Sequence, residues 1–373
     1  MFGYVKYYRL SNAVWIVLLA FLVGCTNDTG EGTSDILEDD TFNWKLVSAW
    51  PPGLPVIDKA VKQFARNVES MSRGQMTIQV YAGGELIPAL EVFDAVADGR
   101  TVQMGHSAAY YWAGKVPAAQ YMSAVPFGLS ARGMMAWLYG GDGLKLWREL
   151  YAPFDLFPIP MGNTGTQMGG WFNKRVDSAQ DLAGLKMRIP GLGGKALAAA
   201  GGNPILLSGG EVYTALERGT IDATEWVGPL HDVRFGLDRA AKYYYYPGWQ
   251  EPSAQLELIV NKTAWETLPS HLQLIINHAA IATGVELYSG MEVGNAKAYQ
   301  SLQESDHVEM VEFPQEVLAA LHQSAKEALG EEAAKDKNFR NVSESYEAFR
   351  EMFSAWDEVT ENAYRQYFNR AKN

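Results

Sequence analysis

The pattern of apolar positions predicts alternating strands and helices in the first folded segment. Residues 44–50 (WKLVSAW) and 75–81 (QMTIQVY) have the pattern of strands. Between them, residues 55–74 carry apolar side chains three or four positions apart, which is the spacing of one helical face, and end at a glycine. Residues 88–99 repeat the helical pattern, and residues 101–107 return to that of a strand. This order with short links predicts a parallel sheet with crossover helices.

A second series of elements follows, and the chain then becomes helical. Strands are predicted at 164–173, 185–190, 203–207, 220–226, 241–249 and 253–261, with helices at 193–201 and 209–219. Further helices are predicted at 269–302, 314–331 and 341–371. The predicted fold class is therefore α/β with a long helical C-terminus.

One helix–glycine–strand pattern occurs in both series. Residues 91–106 (EVFDAVADGRTVQMGH) and 211–226 (EVYTALERGTIDATEW) both open with Glu-Val-aromatic-x-Ala and have a glycine at the ninth position. In doubly wound sheets, ligands lie beyond the carboxyl ends of the strands. If the two halves face each other, both strands point into one cleft. We therefore predict a two-lobed, periplasmic-binding-protein-like fold with a ligand cleft between lobes that close by a hinge motion.

The N-terminus has the pattern of an export signal. Lys6 and Arg9 precede the apolar run at 13–23, which has 11 residues and is too short to span a bilayer. The run ends in LVGC (22–25), which resembles the lipobox of bacterial lipoproteins. That resemblance implies acylation of Cys25, the one cysteine of the chain. The alternative is a generic signal peptide with an incidental cysteine.

These observations divide the chain into provisional parts. We expect a lipoprotein signal peptide at 1–24, a polar and acidic tether at 25–41, lobe I at 42–162 plus about 259–313, lobe II at 163–258, and C-terminal helices at 314–373. The mature protein is expected in the periplasm, attached to the membrane only through lipid.

Charge limits the class of partner. The formal net charge is −12, which argues against nucleic acid and anionic membrane surfaces as partners. An anionic ligand would need a local positive site. Arg188 in GLKMRIPG is a candidate, because it lies among apolar residues just before a Pro-Gly that ends the strand. A guanidinium there needs an anionic partner, either a ligand carboxylate or a structural salt bridge.

Two oxygen-bearing side chains are candidates for binding a cation. Glu225, followed by Trp226, ends the second of the two repeated strands, and Gln167 lies on another predicted strand. Carboxylate and amide oxygens suit a hard cation such as Na⁺ or Ca²⁺. With Arg188, they would form a site for a small carboxylate and a metal ion.

The chain resembles the substrate-binding proteins of TRAP transporters, the DctP-like family. The resemblance rests on LKMRIPG around Arg188, on EVYTALERGTIDATEW and on the long helical C-terminus. Within that family it is similar to the branch that binds 2-oxo acids or lactate with a metal ion. Many other members have Asn at the position of Trp226, which favours the metal-using branch.

The resemblance implies roles for particular residues and partners. Gln167, Glu225 and the carbonyl of Trp226 would hold Na⁺ or Ca²⁺, and Arg188 would bind the ligand carboxylate. Glu251 is a further candidate metal ligand, and Tyr110 and Tyr111 could hydrogen-bond the ligand; packing roles are the alternative for these three. The branch implies a homodimer, a membrane permease as partner, and no enzymatic activity.

Two other functions remain open at this point. GHSAA (105–109) resembles the hydrolase elbow G-x-S-x-G with Ala in the last place, so an exported serine hydrolase using Ser107 is one alternative. No HGGG-type oxyanion segment accompanies it. A ligand-binding sensor module that docks on a signalling receptor is the other.

Overall fold

The computed structural model describes residues 41–371. The predicted signal peptide, the lipidation site Cys25 and nearly all of the tether lie outside the described residues. None of the described helices is long and apolar enough to cross a membrane.

Strands and helices alternate through most of the described chain. The strands are β1 (Phe42–Ser48), β2 (Met76–Tyr81), β3 (Met104–Ser107), β4 (Leu156–Asn163), β5 (Gly170–Phe172), β6 (Lys186–Arg188), β7 (Asn203–Ile205), β8 (Ala223–Thr224), β9 (Tyr243–Tyr246), β10 (Gln255–Asn261) and β11 (Glu309–Glu312). The α-helices are α1 (Ile57–Met71), α2 (Val92–Asp98), α3 (Ala131–Gly140), α4 (Gly143–Tyr151), α5 (Gly191–Ala199), α6 (Gly209–Glu217), α7 (Pro229–Arg234), α8 (Leu237–Ala240), α9 (Lys262–Thr267), α10 (Ser270–Gln303), α11 (Gln315–Lys335), α12 (Lys337–Asp357) and α13 (Ala363–Ala371).

The first sheet has the strand order β2-β1-β3-β10-β4. Strand β1 pairs in parallel with β2 and β3, as the alternating pattern predicts. Strand β10 is antiparallel to both of its neighbours, so the sheet is mixed. Leu46 and Val47 on β1 are fully buried on opposite faces, because helices cover both sides of a sheet built by crossover connections.

The second sheet has the strand order β11-β9-β5-β8-β6-β7. Strand β6 is parallel to β7 and β8, whereas β5 is antiparallel to β8 and β9. Strand β11 is parallel to β9. By sheet membership, residues 309–312 of predicted lobe I belong to the second sheet and residues 255–258 of predicted lobe II to the first, and the lobe boundaries stay a prediction. The α/β fold class is confirmed.

Three segments connect the two sheets. The chain passes from β4 to β5 through residues 164–169 and returns from β9 to β10 through residues 247–254. Helix α10 contacts α1 and β4 on one side and α7 on the other. The predicted strand 164–173 is consequently a strand only over Gly170–Phe172, because its first residues cross between the sheets.

Some local predictions were wrong in detail. Val56, which was predicted to lie in the first helix, precedes α1 with φ 64°. Met71 at the other end of α1 is 47% exposed, whereas Phe64 and Val68 are fully buried. Helices α3 and α4 and strand β4 were not predicted.

The helical C-terminus is confirmed, and it contacts both halves. Helix α11 packs on α5 beside the second sheet, and α12 packs on α3 and α4 beside the first. A π-helical turn at Glu358–Asn362 joins α12 to α13. On α12, Tyr346 is fully buried, and its hydroxyl accepts a hydrogen bond from the Leu129 amide at 2.7 Å.

The repeated helix–glycine–strand pattern has the same backbone conformation in both copies. Gly99 follows α2 with φ 67°, and Gly219 follows the end of α6 with φ 68°. This left-handed conformation is accessible to glycine at no steric cost. Their surroundings differ: a methyl group at Gly99 would lie 2.7 Å from Nδ2 of Asn261, whereas one at Gly219 would have no atom within 4 Å.

The two glycines provide a matched test. Gly219→Ala should lower the free energy of unfolding by about 1 kcal/mol, the cost of the left-handed conformation. Gly99→Ala should cost roughly 2–3 kcal/mol, because the new methyl group also displaces Asn261, whose Nδ2 donates to Val96, Ala97 and Asp155. Urea unfolding of both variants checks this. Equal losses would mean that the Asn261 contacts contribute nothing.

Candidate ligand and cation site

The ends of several strands converge on one small cavity. Tyr110 and Tyr111 follow β3, and Trp226 follows β8. All three line a cavity of about 10 Å³, room for roughly one water molecule. Its other lining residues are Trp50, Leu54, Ile57, Thr164, Gln167, Val227 and Leu256. The structure therefore brings the ends of the two repeated strands to the same place.

Arg188 at the end of β6 is bound to Glu225. Its side chain is 1% exposed, and its guanidinium forms an ion pair with the fully buried Glu225 carboxylate. Nη1 also donates to the Glu225 main-chain carbonyl at 3.2 Å, and Nε donates to the Leu207 carbonyl at 3.3 Å. The guanidinium carbon lies 4.8 Å from the centroid of the Trp226 ring. The anionic partner that the sequence required is thus another predicted site residue.

Gln167 and Glu251 form the adjoining part of the site. The Gln167 Nε2 donates to Glu251 Oε2 at 2.6 Å and to Thr164 Oγ1 at 3.1 Å. The two residues are also hydrogen-bonded through the main chain: the Gln167 main-chain amide donates to the Glu251 carbonyl at 3.1 Å. Glu251 is 2% exposed. Each of these residues lies on a segment that crosses between the sheets.

The site contains more acidic than basic groups. Burial raises the pKa of Glu225 to about 7, although Arg188 opposes the shift. Burial also raises the pKa of Glu251 well above its usual range, and repulsion from Glu225 adds to the shift. Burial disfavours the charge on Arg188, but the attraction of Glu225 and its neighbours outweighs this and raises its pKa. Two buried carboxyl groups therefore face one guanidinium.

The two tyrosines provide neutral donors beside Arg188. Their ring centroids are 4.9 Å apart, edge to face. Burial raises the pKa of Tyr111 to about 12 and raises that of Tyr110 well above its usual range, so both hydroxyls are protonated at neutral pH. Tyr110 reaches the second half because Gly191 has no side chain: a methyl group there would lie 2.9 Å from the Tyr110 Cβ.

Two buried oxygens in the site accept no hydrogen bond from any of the described residues. They are Oε1 of Gln167 and Oε2 of Glu225. Buried acceptors are normally satisfied, and a hard cation is one partner that would satisfy these oxygens. Within residues 41–371, no group of three or more His, Cys, Asp or Glu side chains could hold a metal ion. A cation here would need a mixed set of two carboxylates, one amide and a main-chain carbonyl, which fits Na⁺ or Ca²⁺ better than zinc.

The apolar wall of the cavity was not predicted from the sequence. Trp50, Leu54 and Ile57 come from the segment after β1, and Trp50 packs edge to face on Trp226 with centroids 6.4 Å apart. Strand β1 is parallel to β3, so the rule that ligands lie at the carboxyl ends of strands applies to it as well. The run WPPG (50–53) immediately after a strand was the available signal.

Ser107 does not have the surroundings of a hydrolase nucleophile. It is fully buried, and its hydroxyl donates to Glu257 Oε1 at 2.7 Å. The adjacent His106 instead accepts a hydrogen bond from Trp50 Nε1 at 2.8 Å and bonds the Met161 carbonyl. Glu257 accepts two further bonds, from Trp112 Nε1 at 2.6 Å and from the Tyr151 hydroxyl at 2.9 Å. Ser107 therefore belongs to a buried structural cluster, and the hydrolase alternative is wrong.

Comparison with known protein families identifies the class of protein to which the chain belongs. The sequence model of the DctP family, described as bacterial extracellular solute-binding protein, family 7, matches residues 46–336. The chain belongs to this family, and it is a periplasmic solute-binding protein of the TRAP type, as the sequence predicted.

Several proteins of known function or structure are similar to most of this chain. A monocarboxylate 2-oxoacid-binding periplasmic protein of Nostoc sp. (strain PCC 7120) is 40% identical over 358 residues, covering 96% of this chain and 97% of the relative. A TRAP periplasmic solute-binding protein from Pseudoalteromonas atlantica T6c, solved with bound sodium and pyruvate, is 41% identical, with a TM-score of 0.85 over 87% of this chain and 99% of that chain.

A third relative was solved in two states of occupancy. This TRAP transporter solute-binding protein from Bordetella bronchiseptica RB50 is 35% identical, with a TM-score of 0.86 over 89% of this chain and 98% of that chain. It is a mixed-occupancy dimer with copurified calcium and picolinate in one active site and an apo second site.

The contribution of the buried Glu257 side chain to the free energy of unfolding should depend on pH. Burial raises the pKa of Glu257 from 4.5 to about 7 in the folded protein, so the folded state binds more protons than the unfolded state between these pH values. The stability that Glu257 contributes is therefore greatest below pH 4.5 and declines as the pH rises to 7, by up to about 3 kcal/mol.

Glu257→Gln isolates this contribution, because glutamine does not titrate and all other groups are common to both proteins. The free energy of unfolding of the wild type, minus that of the variant, should fall between pH 4.5 and 7 and be constant above. Denaturant titrations at four pH values measure the difference. A difference that rises with pH would show that the carboxyl group is ionised more easily than normal.

Proposed function

We propose that the protein captures a small 2-oxo monocarboxylate, such as pyruvate, together with Na⁺ or Ca²⁺, and delivers it to a TRAP membrane permease. A 2-hydroxy acid such as lactate is the second candidate ligand. The observation that carries the proposal is the buried charge of the site. Glu225 and Glu251 already outnumber Arg188, and burial raises the pKa of both, so a ligand carboxylate would bring a third acidic group into a region that already disfavours negative charge.

A cation removes this difficulty. It would balance the additional negative charge, and it would take over an oxygen of Glu225, which leaves the Arg188 guanidinium available to a ligand carboxylate. The unpartnered oxygens of Gln167 and Glu225 support the presence of a cation. The relatives solved with sodium and pyruvate or with calcium and picolinate have the same combination of anion and cation.

The roles of the individual residues follow from their chemistry. Gln167 Oε1, the carboxylates of Glu225 and Glu251 and the Trp226 carbonyl would hold the cation, which supplies positive charge to the ligand carboxylate. Arg188 would bind the other carboxylate oxygen, with Tyr110 and Tyr111 donating to the ligand. Closure of the proposed lobes would exclude water and strengthen every one of these contacts. No bond is made or broken.

The partner follows from the family rather than from the site. Members of this family serve TRAP transporters, which favours a permease over a signalling receptor as the docking partner. A sensor module would use the same cleft, so only the permease interaction distinguishes the two. Uptake of labelled pyruvate by cells that carry the permease, with and without this protein, tests that interaction.

Arg188→Ala should weaken pyruvate binding at least a hundredfold at saturating metal, because the ligand carboxylate and Glu225 both lose their cationic partner. Lys186→Ala is the matched control: Lys186 lies on the same strand with an exposed side chain, and its loss should leave affinity unchanged. Calorimetry with Na⁺, with Ca²⁺ and with chelator measures each case. Wild-type affinity that is independent of metal would disprove the cation, and normal binding by Arg188→Ala would remove Arg188 from the site.

We also propose that the protein forms a homodimer through α12 and α13. These helices and the π-helical turn between them carry a row of exposed apolar side chains: Met352, Trp356, Val359, Tyr364, Tyr367 and Phe368. Exposed apolar patches of this kind mark interaction sites. A second copy is the occupant we favour, because the relative from Bordetella bronchiseptica was solved as a dimer.

Trp356→Glu should convert the dimer to a monomer, because a buried charge at the centre of an apolar interface has no partner. Gln366→Glu introduces the same charge at an exposed polar position of α13 and should have no effect. Sedimentation equilibrium gives the mass of each protein. A monomeric wild type at micromolar concentration would contradict the proposed dimer.

Attachment to the membrane through Cys25 is a further proposal. It rests on the sequence LVGC alone, which lies outside the described residues. Cys25→Ser should move the protein from the membrane fraction to the soluble periplasmic fraction, as judged by fractionation and immunoblotting. Wild-type protein that is already fully soluble would contradict it.

A further inference from the structure

Asp232 is a buried carboxylate close to the site that neither the sequence nor the proposed function uses. It lies on α7 and is 1% exposed. Its Oδ1 accepts from the main-chain amides of Val227 at 3.3 Å and Gly228 at 3.1 Å. The two peptide groups that it binds are the ones that immediately follow Trp226.

The Val227 amide and the Trp226 carbonyl belong to the same peptide group. This peptide is trans, so its N–H and C=O point in opposite directions. The bond to Asp232 therefore fixes the direction of the Trp226 carbonyl. The next peptide group, between Val227 and Gly228, is held at both ends. Its N–H donates to Asp232, and its carbonyl accepts from the Met168 amide at 3.2 Å.

The Trp226 carbonyl oxygen accepts no hydrogen bond from the described part of the chain. Among residues 41–371, neither main-chain nor side-chain donors bond to it, although its peptide lies against the cavity through Trp226 and Val227. A carboxylate bound to the N–H of an amide increases the negative charge on its carbonyl oxygen, which makes that oxygen a better ligand for a cation.

Asp232 is itself held rigidly from the second sheet. Its Oδ2 accepts from Trp171 Nε1 at 3.0 Å and from the Tyr244 hydroxyl at 2.7 Å. Trp171 and Tyr244 are paired on β5 and β9, and their rings stack with centroids 4.0 Å apart. Trp171 also pairs with Thr224, the residue before Glu225. The carboxylate thus connects the loop after β8 to two side chains of the second sheet, which restricts the movement of that loop.

We infer that Asp232 is a positioning residue that aims and polarises the Trp226 carbonyl toward the cation. The inference rests on the proposed function, because it assigns an outer partner to one of the proposed cation ligands. It predicts two effects. A cation bound at the Trp226 carbonyl should strengthen the hydrogen bond of the Val227 amide to Asp232, and the contribution of Asp232 to cation affinity should increase with the charge of the ion.

The first effect can be measured in the unmodified protein. Trp226–Val227 is the one Trp–Val step of the sequence, so labelling with carbonyl-¹³C tryptophan and ¹⁵N valine gives a single correlated resonance. Adding Ca²⁺ with pyruvate should shift the ¹³C carbonyl signal, and the Val227 amide proton should move downfield as its bond to Asp232 strengthens. A carbonyl shift without a proton shift overturns the role of Asp232.

The second effect needs a substitution. At pH 8 and saturating pyruvate, Asp232→Asn should weaken Na⁺ binding about tenfold and Ca²⁺ binding about a hundredfold, since Coulomb energy is proportional to ionic charge. Asp238→Asn makes the same charge change on α8 and should leave both affinities unchanged. Equal losses for the two ions, or none, would show that Asp232 is merely structural.

Failure of the proposed function has a different signature. If neither Na⁺ nor Ca²⁺ shifts the Trp226 carbonyl signal of the wild type in the presence of pyruvate, the cation site itself is wrong, and the role of Asp232 falls with it. If the wild type responds and Asp232→Asn binds both ions normally, only the role of Asp232 is lost.

Discussion

The buried charges around Arg188 are the constraint on which the rest of the site depends. A guanidinium and two carboxyl groups are removed from water at one point, and they cannot all be neutralised by one another. Such a cluster is costly to bury and contributes little to stability, which makes a binding role the better explanation for its presence. Burial raises the pKa values of Glu225 and Glu251, and the excess of carboxyl groups over guanidinium groups is the reason for the proposed cation.

The two-sheet architecture is what holds these charges together. Arg188 and Glu225 come from neighbouring strands of the second sheet, whereas Gln167 and Glu251 come from the segments that connect the sheets. Tyr110 follows a strand of the first sheet. A hinge motion between the sheets would therefore separate the tyrosines from Arg188, and the site as described exists only when the halves meet.

Much of the fold could be predicted from periodicity and glycine. The repeated pattern that ends at Gly99 and Gly219 predicted two equivalent turns, and their φ angles agree within one degree. The antiparallel strands could not be predicted, because β5 and β10 show the same apolar patterns as their parallel neighbours and differ only in how the chain enters the sheet. Strand β11 has only four residues, and only its pairing with β9 shows to which sheet it belongs.

The sequence by itself determined which residues have the chemistry to bind a carboxylate and a cation. Arg188 among apolar neighbours, Glu225 at a strand end and the family resemblance were sufficient to select them. Only the tertiary structure decided that Arg188 pairs with Glu225, that Glu251 joins Gln167, that Trp50 covers the site and that Ser107 lies buried against Glu257. These contacts join residues far apart in the chain, so their distances depend on how the two sheets pack, and no local pattern records that packing.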